Sequence, residues 1–242
     1  MTAGPGASPP SRRSGGAAAG ERPGAVRGYD GAMSPSPDAA RLARLPLAGA
    51  DLRYDAAAWP AADADRLFAR LEREIAWERH RFVLFGRTVE APRLSCWIGD
   101  AGAAYVYSRT RFEPRPWTPA VAALRDALAA RLGLRFNSVL ANLYRDGRDS
   151  MGWHSDDEPE LGPEPVIASL SFGAVRTFRL RERATRRPVL SLELAHGSLL
   201  VMAGQTQRHY QHALPRRAGI AAPRINLTFR RIAPDARTVQ ST

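Results

Sequence analysis

The chain has 242 residues, 44% of them hydrophobic, and a formal net charge of +11. That length supports one substantial core, and no apolar run approaches the roughly 20 residues that a bilayer-spanning helix needs. A single cysteine, Cys96, excludes an intramolecular disulfide and matches a reducing compartment.

Residues 1–45 are rich in Gly, Pro, Ala and Ser with scattered Arg, and read as a disordered tail that cannot offset its ordering entropy. The Arg/Ser bias resembles a transit peptide, but the Pro and Gly density spoils an amphipathic helix. A linker, or a start codon assigned upstream of Met33, fits better. Residues 46–242 read as one domain. Leu67, Phe68, Leu71 and Ile75 recur at helical spacing and predict a helix from Asp63 to about Glu78. Phe82–Phe85 and Ser95–Ile98 read as strands flanking a turn at Gly86 and a break at Pro92. After the turn at 99–102 comes the alternating strand 104–108. Thr118-Pro119 then caps a second helix, lined by Val121, Leu124, Leu128 and Leu132 and ended by Gly133.

From Phe136 onward strand follows strand: 136–145, 166–172, 174–180, 189–194, 198–202, 208–214 and 224–231. No helix-length segment intervenes. The fold class predicted is mostly β with flanking helices, an antiparallel double-sheet barrel of jelly-roll type.

His154 and Asp156 sit two residues apart, so an extended chain points both to one face. Two imidazoles and one carboxylate suit non-haem Fe(II) and leave three positions open, and they also fit zinc. The third ligand must come from afar. His212 is the best candidate, with His209 its competitor on the opposite face; His80 and His196 are poorly placed. In strand 136–145, Leu140, Asn142 and Tyr144 share a face, and an inward Asn and Tyr require hydrogen-bond partners. In strand 224–231, Arg224, Asn226, Thr228 and Arg230 face one way and Ile225, Leu227 and Phe229 the other. The polar face meets water or an anion, for which guanidinium is the preferred fork. Arg224 and Arg230 lie about 20 Å apart along the strand at roughly 3.3 Å per residue, so Arg224 is the stronger candidate.

His154-x-Asp156, His212, Asn142-x-Tyr144 and Arg224-x-Asn226-x-Thr228-Phe229-Arg230 together resemble the AlkB family of Fe(II)/2-oxoglutarate-dependent dioxygenases. The likeness covers about residues 80–232 and is greatest to its nucleic-acid demethylases, human homologues two and three in particular. Pro92-Arg93, Tyr105–Ser108, Phe136-Asn137, the run from His154 to Glu158, Ile167–Ala174 and His196–Leu200 resemble that family too.

The resemblance implies the double-stranded β-helix of these dioxygenases, and Fe(II) held by His154, Asp156 and His212. It implies 2-oxoglutarate held by Asn142, Tyr144, Arg224, Asn226, Thr228 and Arg230, with dioxygen as the second co-substrate. It implies oxidative demethylation of N1-methyladenine and N3-methylcytosine in DNA, single- or double-stranded, and extending to RNA. Succinate, carbon dioxide and formaldehyde would be released. Reaching such a methyl group requires unstacking the base, at a cost of a few kcal/mol.

By that likeness Tyr105, Val106 and Tyr107 line the base site, with Tyr107 and the His154 ring as a platform. Asp157 and Glu158 then accept hydrogen bonds from the base, and Phe85-Gly86-Arg87 probes the duplex. Tyr105 serves equally as strand packing, Phe85 equally as core, and the acidic pair alternatively caps a loop. The run Arg176, Arg179, Arg181, Arg183, Arg186 and Arg187 offers phosphate contacts or a solvated loop.

Residues 1–50 account for only +3 of the net charge, so the folded body is itself basic and favours a polyanion. All 35 basic residues are arginine, which GC-rich codons alone would also produce. The expectations are a cytoplasmic monomer, nucleoid-associated in a bacterium or nuclear in a eukaryote. Competing readings are an AlkB-type enzyme acting on RNA or protein, an inactive nucleic-acid-binding barrel, and more remotely a zinc hydrolase.

Overall fold

The computed structural model describes residues 42–84, 87–107 and 110–233, with the backbone alone for 82–84, 87, 105–107 and 110–112. In chain order the strands are β1 (Ala43–Leu45), β2 (Asp51–Asp55), β3 (Arg81–Leu84), β4 (Arg87–Glu90) and β5 (Leu94–Gly99). They continue with β6 (Tyr105–Tyr107), β7 (Thr110–Phe112), β8 (Ser138–Tyr144), β9 (Met151–His154) and β10 (Ile167–Gly173). The last are β11 (Arg176–Glu182), β12 (Pro188–Leu194), β13 (Ser198–Ala203), β14 (Tyr210–Leu214) and β15 (Arg224–Arg230). Helices α1 (Ala61–Glu74) and α2 (Pro119–Leu132) precede the main run of strands. A one-turn helix, α3 (Thr206–His209), leads into β14.

Two antiparallel sheets carry the fold. A seven-stranded sheet has the order β1-β2-β13-β10-β15-β8-β5, and a four-stranded sheet the order β12-β11-β14-β9. Period-two alternation sorts each central strand between two environments. In β15, β8 and β10 one alternating set, Ile225, Leu227 and Phe229 with Val139, Ala141, Leu143, Ala168, Leu170 and Phe172, joins the core beneath α1 and α2. The alternate residues turn to the other sheet. There Ile167, Leu200 and Met202 meet Phe178, Leu180 and Leu194 in a second core. Every fully buried leucine in these layers contributes about 1.5–3 kcal/mol of transfer free energy.

Both helices form where apolar spacing demands them. In α2 the Thr118 hydroxyl accepts the Val121 N–H, Pro119 starts the first turn, and Gly133 closes the helix with φ 67°. Helix α1 is shorter than expected and ends at Glu74, four residues early. Ile75 still reaches the core, but its backbone is already extended, and Glu78 and Ser95 exchange both backbone hydrogen bonds at 3.0 and 2.9 Å. Helical periodicity thus ran past the true end because Ile75 buries from either conformation.

Five strands were not expected. β1 pairs with β2 as an edge of the larger sheet, so strand structure begins inside the stretch read as tail. β4 closes a hairpin on β3, and β7 closes one on β6. β9 completes the smaller sheet against β14. The short edge and hairpin strands carry too few residues for a period to register. At Gly173, φ is 88° and an added Cβ would lie 2.4 Å from the Pro223 carbonyl oxygen. Only glycine can occupy this point, where β10 of one sheet passes toward β11 of the other.

Candidate metal centre and anion pocket

β9 is the edge strand of the smaller sheet, and its register against β14 slips by one residue between His154 and Met151. This bulge lets both Met151 and His154 line the cavity between the sheets, although they are three residues apart. His154 Nδ1 lies 2.9 Å from the Gly152 carbonyl oxygen. That hydrogen bond places the proton on Nδ1 and leaves Nε2 as a lone-pair donor. His212 is the cross-strand partner of His154, and the two rings stand 4.1 Å apart, centroid to centroid.

Asp156 enters two residues after β9, buried to 3% exposure. Its Oδ1 lies 3.8 Å from His154 Nε2 and its Oδ2 3.9 Å from His212 Nε2. One ligand atom from each of the three residues falls within 4.8 Å of the others, so one ion can reach all three. Burial and the neighbouring His154 push the His212 imidazole down to about 3. It is therefore neutral at physiological pH, the form that ligates metal. Burial raises the Asp156 carboxyl, but Arg230, His212 and His154 together outweigh it and hold the group below its ordinary value.

The Asp156 loop is pinned from α3. Buried Gln207 accepts the Asp156 N–H through Oε1 at 3.0 Å, and the Ser155 hydroxyl donates to the Tyr210 carbonyl at 2.9 Å. Sequence reading missed Gln207. Its only signal is a glutamine five residues before His212, which is too weak to single out. His209 lies in the same helical turn, exposed, with Nε2 2.9 Å from Gln205 Oε1. It stays out of the centre, yet strand alternation was the wrong reason, since the chain is helical there. His196 is engaged with the Gly173 N–H and Asp65.

Across the cavity stand the polar residues of β8 and β15. Register places Arg224 opposite Tyr144, Asn226 opposite Asn142 and Thr228 opposite Leu140. Arg224 is buried; its Nη2 donates to Ser171 Oγ at 2.8 Å, and its guanidinium lies 5.3 Å from the Tyr144 ring centre. Its Nε has no partner, and no carboxylate pairs with it among the described residues. Burial pulls its pKa down to about 10, so it remains a cation at neutral pH. A buried cation without an anion is costly. A carboxylate-bearing ligand would satisfy it.

Asn226 and Thr228 also line the cavity, but their polar groups are engaged locally. Asn226 Nδ2 donates to Ser169 Oγ and the Leu170 carbonyl, and its Oδ1 accepts the Thr228 hydroxyl. Asn142 Oδ1 accepts from Arg93 Nε at 2.8 Å. Arg230 sits at the far end of β15, and its Nη2 donates to Asp156 Oδ1 at 2.8 Å. The two arginines therefore serve opposite ends of one cavity.

The expected base-binding residues are less concentrated. Phe85 and Gly86 lie outside the described residues. Arg87 opens β4 opposite Leu84, and Tyr105, Val106 and Tyr107 form β6, for all of which the backbone alone is described. Asp157 makes an ion pair with Arg183, and Glu158 precedes a single 3-10 turn (Pro159–Leu161) without a side-chain cap. The expected basic run divides. Arg176 is buried and donates to the carbonyl groups of Asp146, Asp149 and Pro215, so it cannot meet phosphate. Arg187 pairs with Glu182. Arg179 and Arg181 lie on the outer face of β11, where alternation carries them away from buried Phe178 and Leu180.

Fold and site together define a jelly-roll protein with a two-histidine, one-carboxylate centre and a buried anion subsite beside it. The chain belongs to the 2OG-Fe(II) oxygenase superfamily, whose sequence model matches residues 52–230. It is 42% identical over 182 residues to alpha-ketoglutarate-dependent dioxygenase alkB homolog 3 of Bos taurus, covering 72% of this chain and 63% of that protein. It is 43% identical over 180 residues to DNA oxidative demethylase ALKBH2 of Mus musculus, covering 70% and 75% respectively. The chain thus matches a little under two thirds of the length of the homolog 3 relative.

Among solved structures, "The structure of OsALKBH1" superposes with a TM-score of 0.54 at 18% identity, covering 78% of this chain and 99% of that one. An oxidoreductase of the 2OG-Fe(II) oxygenase family from Burkholderia pseudomallei gives 0.50 at 17%, covering 81% and 91%. These two likenesses establish the fold. Two imidazole donors, a carboxylate and a buried Arg224 with no carboxylate partner among the described residues fit Fe(II) with 2-oxoglutarate, the pair that the family's name carries.

Proposed function

We propose that the protein removes N-methyl groups from alkylated bases in DNA, N1-methyladenine and N3-methylcytosine foremost, as a direct-reversal repair enzyme. The observation that carries this reading is the His154–Asp156–His212 cluster in one cavity with a buried Arg224 whose Nε is unpaired. The demethylase names of the 43%-identical relatives support the substrate.

In this reading His154, Asp156 and His212 would hold the iron. Arg224, beside the Tyr144 ring, would pair with a carboxylate of 2-oxoglutarate. Asn142, Asn226 and Thr228 shape that end of the cavity through their own hydrogen bonds. Arg230 holds the Asp156 carboxylate ionised and oriented. Iron(II) with 2-oxoglutarate and dioxygen supplies hydroxylation of a C–H bond, coupled to release of succinate and carbon dioxide. The N-hydroxymethyl base then loses formaldehyde. A methylated base carries positive charge, and Asp157 and Glu158, next to the ligands, favour it over a neutral base. Tyr105, Val106 and Tyr107 flank the base, and Phe85-Gly86-Arg87 fills the gap it leaves. The enzyme acts as a monomer in the cytoplasm, at the nucleoid or, in a eukaryote, in the nucleus.

The test is mass spectrometry of oligonucleotides bearing N1-methyladenine or N3-methylcytosine, with Fe(II) and 2-oxoglutarate supplied or withheld. Loss of one methyl mass only with both supplied is expected. Turnover on methylated RNA or peptide and none on DNA would sink the substrate assignment.

A further inference from the structure

The outer face of the four-stranded sheet has no part in the cavity, and it carries an unusual set of side chains. Trp153 stands next to His154 at the β9 bulge, 36% exposed. The Arg181 guanidinium lies 4.4 Å from the centre of its indole ring. Arg181 is itself held, because Nε and Nη2 both donate to Oε1 of Gln211, its cross-strand neighbour, at 3.0 and 2.7 Å. Arg179 shares this face, exposed, and no ion pair reaches it among the described residues. Beside Trp153, a Cβ built on Gly152 would meet nothing within 4 Å, so the surface there is open. Helices α1 and α2 pack on the seven-stranded sheet instead.

An exposed indole with a fixed guanidinium against it, and a second arginine on the same face, is a chemical statement about what covers it. Guanidinium alone would suit any anion, an acidic peptide included. The aromatic plane adds a stacking surface, and stacking with phosphate contact is how proteins hold single-stranded nucleic acid. Glu193, an acidic group of β12 opposite Thr177, is already engaged by Arg217 and Thr177, so it offers the polyanion little opposition. Placement matters equally. β9 presents His154 to the cavity and Trp153 to the outer face, so the stacking surface lies on the same edge strand as a residue of the metal cluster.

We propose that Trp153, Arg181 and Arg179 form a platform for the single-stranded segment adjoining the treated nucleotide. Trp153 stacks on a base, Arg181 holds the indole and shares a phosphate, and Arg179 takes the next phosphate. The platform deepens the nucleic-acid reading above and rests on it for the identity of the strand.

The test is fluorescence anisotropy of a labelled, unmodified oligodeoxythymidylate of about 15 nucleotides with the full chain, without iron or 2-oxoglutarate. Trp153→Ala and Arg181→Gln are expected to weaken binding by about tenfold, on the usual scale of base–aromatic stacking. Trp153→Phe should recover most of that loss. Arg179→Gln should weaken binding and make the salt dependence shallower by about 0.7, one phosphate contact on a single strand. It stands two strands from β9, so it decides the matter even if Trp153→Ala fails to fold. Unchanged affinity in both Arg179→Gln and Arg181→Gln overturns the platform, as does unchanged affinity in a folded Trp153→Ala. So does equal binding, with equal losses, of a polyglutamate probe. Failure of demethylation by the unaltered protein would strike the proposed activity and leave this binding measurement intact.

Discussion

Arg230 Nη2 donates to Asp156 Oδ1 across 2.8 Å, and both side chains are almost wholly buried. The pair joins the last strand of the larger sheet to the loop that carries a metal-ligand carboxylate. Removing the cation strands a buried charge, which costs about 3–5 kcal/mol. Arg230→Gln is therefore expected to lower the urea midpoint of the metal-free protein substantially. In a double-mutant cycle with Asp156→Asn, the two losses should be far from additive. Additive losses would mean that the contact contributes nothing.

Alanine at His154, Asp156 or His212 should abolish the proposed demethylation; the histidine variants should keep the fold, and Asp156→Ala, which leaves Arg230 buried without its carboxylate, should fold with lowered stability. Each removes a donor without opening the main hydrophobic core. Far-ultraviolet circular dichroism would check the fold, and oligonucleotide mass spectrometry the activity. Retained repair in Asp156→Ala would refute the ligand assignment.

Arg224 gives a prediction of opposite sign for fold and ligand. Its buried, unpartnered Nε makes it a burden on the ligand-free protein. Arg224→Met should leave the ligand-free melting temperature unchanged or raised. It should also erase the upward shift that 2-oxoglutarate is expected to produce in the unaltered protein. A preserved shift in the variant would show that the carboxylate is held elsewhere.

Gln207 acts on the metal through a backbone group, since its Oε1 accepts the Asp156 N–H. Gln207→Leu keeps the bulk and leaves that buried N–H unsatisfied, at about 1–3 kcal/mol. Co(II) bound as a spectroscopic substitute should show weaker affinity and an altered visible spectrum. Gln207→Glu, which restores an acceptor, should recover much of both. Identical spectra in all three proteins would reduce Gln207 to simple packing.

Cys96 is buried on β5, and burial pushes its thiol up to about 11. An unfolded thiol titrates near 8.5, so the folded state binds this proton more tightly. Stability from that difference is whole below about pH 8.5 and is lost as pH rises through the folded value. Urea midpoints from pH 7 to 10.5 should therefore fall more steeply in the unaltered protein than in Cys96→Ala. Parallel slopes would contradict the burial effect.

How much of this was legible beforehand depends on the element. Helix α2 was readable end to end, because Thr118, Pro119 and Gly133 act locally on the backbone they cap. The two faces of β15 were readable too, since period two needs no knowledge of neighbours. Which face would be buried was not readable. Both are, so the polar face that the sequence left open to water or an anion, with Arg224 and Arg230 on it, lines a cavity. Arg176 misled in the same way, as a member of a basic run that the fold places inside against three carbonyl groups.

By itself the chain determined the alternating strands, the capped helix, the His154-x-Asp156 pair and the likeness that names the family. These rest on contacts between residues a few positions apart. The tertiary structure brought His212, the third ligand already preferred over His209, to within reach of the pair. It also decided that Arg230 serves Asp156 while Arg224 awaits an anion, and that Gln207 steadies the loop between. Those relationships join residues 51 to 74 positions apart, brought together by sheet order and a one-residue bulge that no local pattern records.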